Sequence, residues 1–93
     1  MVEEMEIENA HGGIGRVLKL VRAERERQIA KWGPQTHTPM EWYPRLGEEF
    51  GEVGKALAEG EIKEFDLANY REECIHTAAV ALAMVQCIDD GIA

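Results

Sequence analysis

The sequence is short of positive charge. Ten Lys and Arg face 18 Asp and Glu, which leaves a formal charge of −8. A surface of that sign disfavours nucleic acid and anionic membranes as partners, since both want a basic face. Long apolar runs are missing as well. No stretch approaches the roughly 18 apolar residues of a membrane span. Cysteine is scarce: Cys74 and Cys87 are the only two. On one helix they stand roughly 20 Å apart at about 1.5 Å per residue, too far to bond to each other. They read as buried free thiols in a reducing compartment. The opening residues, Met1-Val2-Glu3-Glu4-Met5-Glu6-Ile7-Glu8, lack the basic region of a secretory signal, so the cytoplasm is the expected location. Strand-like alternation, internal repeats and low-complexity segments are all wanting, and the expected class is all-α.

What remains is one small domain. At 93 residues such a chain buries only about 60% of its unfolded surface or slightly more, so its core is marginal alone. Self-association is a natural remedy. Residues 1–12 read as a flexible acidic tail and 13–93 as a single all-α domain. His11-Gly12-Gly13 separates the two, because glycine pairs interrupt a helix. His11 has no companion at metal-ligand spacing.

Three helices are expected. From Ile14 to Trp32, the residues Ile14, Leu18, Val21, Ile29 and Trp32 recur at helical steps. Arg22, Arg25 and Arg27 alternate with Glu24 and Glu26, a pattern expected on a solvated face with weak ion pairs. Gly33-Pro34 ends this helix. Thr38-Pro39-Met40-Glu41 starts a second, with Thr as N-cap, Pro at the first position and Glu at the third. It runs to about Glu59, with Gly60 as its C-cap. Pro44 falls in the early turns and is able to shift the start to Trp42 or later. Asp66 is an N-cap for a third helix, from about Leu67 to Asp89, followed by Gly91.

The apolar stripes give the faces. In the second helix Trp42, Leu46, Phe50, Val53 and Leu57 line up. Glu49 then lies about 60° from the stripe's centre and Glu52 about 120°, at roughly 100° per residue. Gly47, Gly51 and Gly54 each cost up to ~1 kcal/mol in a helix, and suggest close approach by another helix or a ligand. In the third helix Leu67, Tyr70, Cys74, Ala78, Ala81, Val85 and Ile88 form the main stripe. Beyond Thr77 that helix is apolar almost all round, broken only at Gln86. A helix of that kind is covered on all sides. Two helices from the same short chain cannot do so, which implies a second subunit.

The chemistry gathers around Leu46-Gly47-Glu48-Glu49-Phe50-Gly51-Glu52-Val53-Gly54-Lys55. Glu49 and Glu52 are one turn apart and project together. Close carboxylates repel unless a cation or a proton sits between them. The third helix carries Glu72-Glu73, and His76 follows Glu73 at the same one-turn spacing. Their face continues through Val80 toward Met84 and Cys87, which is apolar, so Glu73 and His76 point to a covered side. A charged group there needs a partner or a metal. If the two helices pack antiparallel, Glu49-x-x-Glu52 and Glu73-x-x-His76 converge. Oxygen-rich sites of this kind suit Mg²⁺ or Mn²⁺, and the added nitrogen makes Mn, Fe or Zn more acceptable. At the end of the first helix, Trp32, Gln28 and Lys31 are candidates for ligand contacts. Core packing is the competing role for Trp32 and Trp42, and solvent exposure for Lys31 and Lys55. Arg71 is a further candidate.

These residues resemble a known family. Arg27-Gln28-Ile29-Ala30-Lys31-Trp32-Gly33, Trp42, Leu46-Gly47-Glu48-Glu49-Phe50-Gly51-Glu52-Val53 and Arg71-Glu72-Glu73-Cys74-Ile75-His76-Thr77-Ala78-Ala79-Val80 are similar to the MazG-like, all-α nucleoside triphosphate pyrophosphohydrolases, in particular the small phage- and integron-type members. The likeness spans about residues 22–88. It implies three main helices per chain and a four-helix core built across the subunits of a dimer or tetramer. It implies Mg²⁺, with Mn²⁺ as a substitute, at four acidic positions, and cleavage of a (d)NTP substrate to (d)NMP and pyrophosphate. By position, Glu49, Glu52, Glu73 and His76 hold the metal, Glu48 orients the water, and Gln28, Lys31, Trp32, Lys55 and Arg71 bind substrate. His76 departs from the family pattern, which has Asp there. Hard cations prefer oxygen, so His76 implies fewer metals, another metal, an indirect role or lost activity. Two other readings stand beside this one. The fold could be retained as a non-catalytic helical dimer. Glu-x-x-His on a four-helix bundle is also the di-iron carboxylate pattern.

Overall fold

The computed structural model describes residues 12–91. The acidic tail expected before Gly13 lies outside them but for Gly12. Three helices make up the described chain: α1 (Ile14–Trp32), α2 (Pro39–Glu59) and α3 (Leu67–Asp89). No strand occurs among the described residues.

The helix ends follow their cap chemistry. Gly13 precedes α1 at φ 87, a left-handed conformation that glycine adopts without strain. Gly33 follows at φ 76 and returns its N–H to the Ile29 carbonyl. At the start of α2 the capping box closes in both directions. The Glu41 N–H donates to Thr38 Oγ1 at 3.2 Å and the Thr38 N–H donates to Glu41 Oε1 at 2.9 Å. The bond from the Thr38 N–H holds the Glu41 carboxyl below the usual carboxylate range. Pro44 does not move this start, contrary to the shift allowed for above; it sits inside the helix. The box secures the first turn, so the one amide bond that proline removes is tolerated. Asp66 caps α3 by accepting the Asn69 N–H at 3.0 Å.

Packing selects faces that the stripes alone do not. Trp42 near the start of α2 meets Cys87 near the end of α3, and Glu49 meets His76, so the two helices run antiparallel. The buried line on α2 passes through Trp42, Leu46, Glu49, Val53 and Ala56. Phe50 and Leu57, placed in the stripe by periodicity, are 69% and 48% exposed. The inward direction is thus rotated toward Glu49, which lies on the packed line and not beside it. On α3 the inner face is Val80, Ala83 and Cys87, joined by Trp42 in one cluster with Leu46 and Met84 against it. Ala78, Ala81, Leu82, Val85 and Ile88, which include most of the stripe expected to be the core, are open.

α1 corrects a further expectation. Arg25 and Gln28 are buried, at 6% and 7% exposure, and the Glu24 side chain is 10% exposed. Glu24 and Arg25 therefore turn inward with Gln28 and are not solvated, whereas Arg22, Glu26 and Arg27 stay exposed, with an Arg22–Glu26 ion pair as expected. Arg25 donates from Nε to Gln86 Oε1 at 3.2 Å and from Nη1 to Gln35 Oε1 at 3.5 Å. It ties α1 to α3 and to the loop before α2. The neighbours Glu24 and Arg25 reach His76 and Gln86, ten positions apart on α3. α1 accordingly crosses α3 and does not run along it.

Candidate metal centre and adjoining cleft

The packed line of α2 carries Glu49 inward, and the one-turn spacing on α3 puts Glu73 and His76 on the facing side. One ligand atom from each of these three lies within 4.8 Å of the others. His76 Nδ1 is 3.5 Å from Glu73 Oε2 and 4.0 Å from Glu49 Oε2. The opposite ring nitrogen faces another pair. Nε2 is 3.7 Å from Glu24 Oε1 and 3.8 Å from Glu72 Oε1. Glu72 is 66% exposed, whereas Glu24, Glu73 and His76 are mostly covered. The imidazole therefore stands between carboxylates on both edges, drawn from all three helices.

The carboxylates are not equivalent. Arg27 grips Glu24 with Nε on Oε1 at 2.8 Å and Nη2 on Oε2 at 2.7 Å. Gln28 Nε2 adds a bond to Oε2 at 3.1 Å. The Arg27 bond holds the Glu24 carboxyl below its ordinary range, against the opposing effect of burial, with His76 and Gln28 assisting. Glu49 goes the other way. Burial pushes its carboxyl up, and the neighbouring charges of Glu73, Glu52 and Glu24 add to that, while His76 offsets part. One acid is thus fixed as an anion, and another is left wanting positive charge.

The donor set fits a divalent cation of intermediate hardness. Two carboxylate oxygens and one imidazole nitrogen suit Mn²⁺ or Zn²⁺ better than Mg²⁺, which favours oxygen throughout. Glu52 is exposed and is not part of the three-residue cluster, although its charge acts on Glu49. Of the four ligands implied by resemblance, the fold brings three together.

A cleft of about 390 Å³ opens beside Glu49. It is lined by Gln28, Trp32, Gln35, Trp42, Arg45, Glu48, Glu49 and Val80. Three of the residues expected at a substrate site, Gln28, Trp32 and Glu48, are therefore in one place. Trp32 is 56% exposed, with Lys31 Nζ 4.6 Å above its ring. Trp42, by contrast, is 3% exposed; its Nε1–H points to Cys87 Sγ at 3.3 Å and its ring meets His37 edge-on. The two tryptophans divide the roles weighed for them: Trp42 is core and Trp32 is surface. Lys55 and Arg71 are exposed and do not line the cleft.

Glu24, Gln35 and Arg45 are the site residues that sequence reasoning missed. One signal for Glu24 was present. It lies one turn before Gln28, so a ligand-facing Gln28 brings Glu24 along on the same face. Gln35 and Arg45 had no such marker. Comparison with protein-family profiles, with curated proteins and with solved structures finds no match to this chain.

Proposed function

We propose that the chain is a divalent-metal-dependent nucleotide pyrophosphohydrolase, hydrolysing a (d)NTP to the (d)NMP and pyrophosphate. The observation that carries this reading is the convergence of Glu49, Glu73 and His76, with Glu49 also lining a cleft that holds Trp32, Gln28 and Arg45. An acidic site beside an aromatic and a guanidinium suits a ligand with a planar base and a polyphosphate, provided a cation screens the carboxylates. The similarity of the quoted motifs to MazG-like enzymes supports the same reaction. A bound divalent ion supplies charge neutralisation for the triphosphate and acidifies water. Glu49, Glu73 and His76 hold it. Trp32 stacks on the base, Gln28 meets its edge, and Arg45 takes a phosphate oxygen. Glu48 on the cleft wall orients the attacking water and receives its proton as the phosphoanhydride bond breaks.

The chain is further proposed to work as a homo-oligomer. The support is the uncovered apolar stripe Ala78, Ala81, Leu82, Val85 and Ile88 on α3. Each common ribo- and deoxynucleoside triphosphate, incubated with the protein and Mn²⁺ or Mg²⁺, tests the reaction. Pyrophosphate release is expected, with Mn²⁺ the better ion. No release from any of them overturns the reading.

One observation favours a second reading. Four carboxylates surround the two nitrogens of His76 at 3.5–4.0 Å, so a protonated imidazole would itself be the cation of the cluster. The chain would then keep the fold without the chemistry. Titration with Mn²⁺ separates the two, since a resident imidazolium leaves no place for the metal.

A further inference from the structure

We propose that Glu24 is the positioning carboxylate of His76: it accepts the Nε2–H and so turns the Nδ1 lone pair toward Glu49 and Glu73. The inference rests on the metal reading above and assigns a task to a residue of α1 that lies outside the metal cluster itself.

The geometry separates two sides of one ring. Glu24 faces Nε2 at 3.7 Å, while Glu49 and Glu73 face Nδ1. A neutral imidazole has one N–H to give and one lone pair to present. Two anchors decide where the N–H goes. Glu24 accepts three hydrogen bonds, from both ends of the Arg27 guanidinium fork and from Gln28. Its side chain is 10% exposed, so it is held in place and remains an acceptor. Glu72, at a similar distance from Nε2, is on the surface and has no such clamp among the hydrogen bonds of the described residues. Without a cation, the clamped Glu24 at Nε2 offsets the repulsion between the Nδ1 lone pair and the two carboxylates that face it. With a cation between them the arrangement becomes favourable in itself, and the three ligand atoms are close enough to share one. Metal-bound histidines commonly donate their second N–H to a carboxylate, which fixes ring orientation and raises ligand basicity. The 3.7 Å separation needs to shorten by roughly half an ångström or more to reach hydrogen-bond length, a small rotation of the His76 side chain.

The arrangement also gives His76 a reason to stand where an all-oxygen site has a fourth acid. An imidazole needs a partner on its far edge. The α1 crossing provides it, through the Glu24-x-x-Arg27-Gln28 turn.

The first measurement uses the metal-free protein at a pH that leaves the imidazole neutral. Nitrogen-15 NMR of the ring, assigned by loss of the signal in His76→Gln, reads the tautomer. The Nε2–H form is expected in the unaltered protein and in Glu24→Gln, which keeps an acceptor. It is expected to lose its dominance in Glu24→Leu. The second measurement is calorimetric titration with Mn²⁺. Glu24→Leu is expected to weaken binding about 10- to 100-fold, with Glu24→Gln recovering part of that loss and helix content unchanged in both. A dominant Nδ1–H form in the unaltered protein overturns the proposal, as does Mn²⁺ affinity in Glu24→Leu equal to that of the unaltered protein. Should Glu24→Leu not fold, the tautomer in the unaltered chain and in Glu24→Gln still decides. An Nε2–H form together with no Mn²⁺ binding by the unaltered protein overturns the metal reading alone and upholds the contact.

Discussion

At the scale of single residues, Glu49 is the acid whose environment is least suited to its charge. Burial and three neighbouring carboxylates raise its pKa above the ordinary 4.5. The sign of the consequence follows from proton linkage. A folded-state pKa above the unfolded one means that the folded protein binds more protons, so stability falls as pH rises through that interval. In Glu49→Gln this contribution is gone. The metal-free unaltered protein is therefore expected to lose stability relative to Glu49→Gln as pH climbs from 4.5, and to level off above the raised value. Contributions from Glu24 and Glu41, which run the other way, are common to both proteins and cancel to first order. Adding Mn²⁺ is expected to reverse the difference in favour of the unaltered protein. Thermal melts of the two proteins across pH, in chelator and in Mn²⁺, check both parts. A parallel pair of curves in chelator contradicts the first, and an equal response to Mn²⁺ contradicts the second.

Trp42 offers a simpler residue-scale test. It is 3% exposed and stands at the centre of the Val80, Ala83 and Cys87 cluster. Trp42→Ala is expected to cost about 3–5 kcal/mol, a large share of what so small a chain has. Denaturant titration measures it. Trp32→Ala, on the surface, is expected to leave stability nearly unchanged and to weaken nucleotide binding instead. Much of the site was legible at this scale. One-turn spacing on adjacent helices was enough to bring Glu49, Glu73 and His76 together. It was not enough to find Glu24, because Glu24 and Arg27 at a three-residue spacing look the same whether their face meets water or another helix. The missing information is which side of α1 docks, and that is set by contacts far along the chain.

Among the elements, the ends were readable and the faces less so. Gly13, Gly33, Thr38-Pro39-Met40-Glu41 and Asp66 terminate the backbone hydrogen-bond pattern by local chemistry, which needs no tertiary context. The helices accordingly begin and end where those residues place them. Periodicity gives a stripe of apolar residues but not the rotation at which a partner meets it. On α2 the partner is centred on Glu49, and on α3 the larger stripe is left over. The capping box is the cleanest element to perturb. Its two reciprocal bonds secure the first turn of a helix that also carries Pro44. Thr38→Ala is expected to destabilise the fold by about 1 kcal/mol, with the depressed pKa at Glu41 relieved only in part, since the backbone N–H at position 38 that chiefly holds it down is kept. Thermal unfolding reads the first, and carbon-13 titration of the Glu41 carboxyl reads the second.

Among the described residues, the three helices leave much apolar surface open. Ala78, Ala81, Leu82, Val85 and Ile88 fall within about 120° of arc on α3 at roughly 100° per residue, and all are open. Phe50 and Leu57 on α2 are open as well. A Cβ added at Gly47, Gly51 or Gly54 meets nothing within 4 Å in the single chain, so their expected use as a close-approach surface is not made by α1 or α3. Helix propensity works against glycine at these positions by up to ~1 kcal/mol each. A second copy would give both features a purpose, covering the α3 stripe and approaching closely where the glycines leave room. A folded dimer makes the melting temperature rise with protein concentration, because association stabilises the folded state by mass action. That rise is expected here, together with a sedimentation mass above one chain. Val85→Glu places a charge in the middle of the stripe without disturbing the Val80, Ala83 and Cys87 face turned inward. It is expected to abolish the concentration dependence and yield single chains that keep their helix content. Gly51→Ala distinguishes the two surfaces: a monomer gains up to ~1 kcal/mol from the better helix former, whereas a dimer packed at that glycine dissociates more readily. A concentration-independent melting temperature in the unaltered protein would remove the second subunit, and leave the metal cluster to work within one chain, since Glu24, Glu49, Glu73 and His76 all come from it.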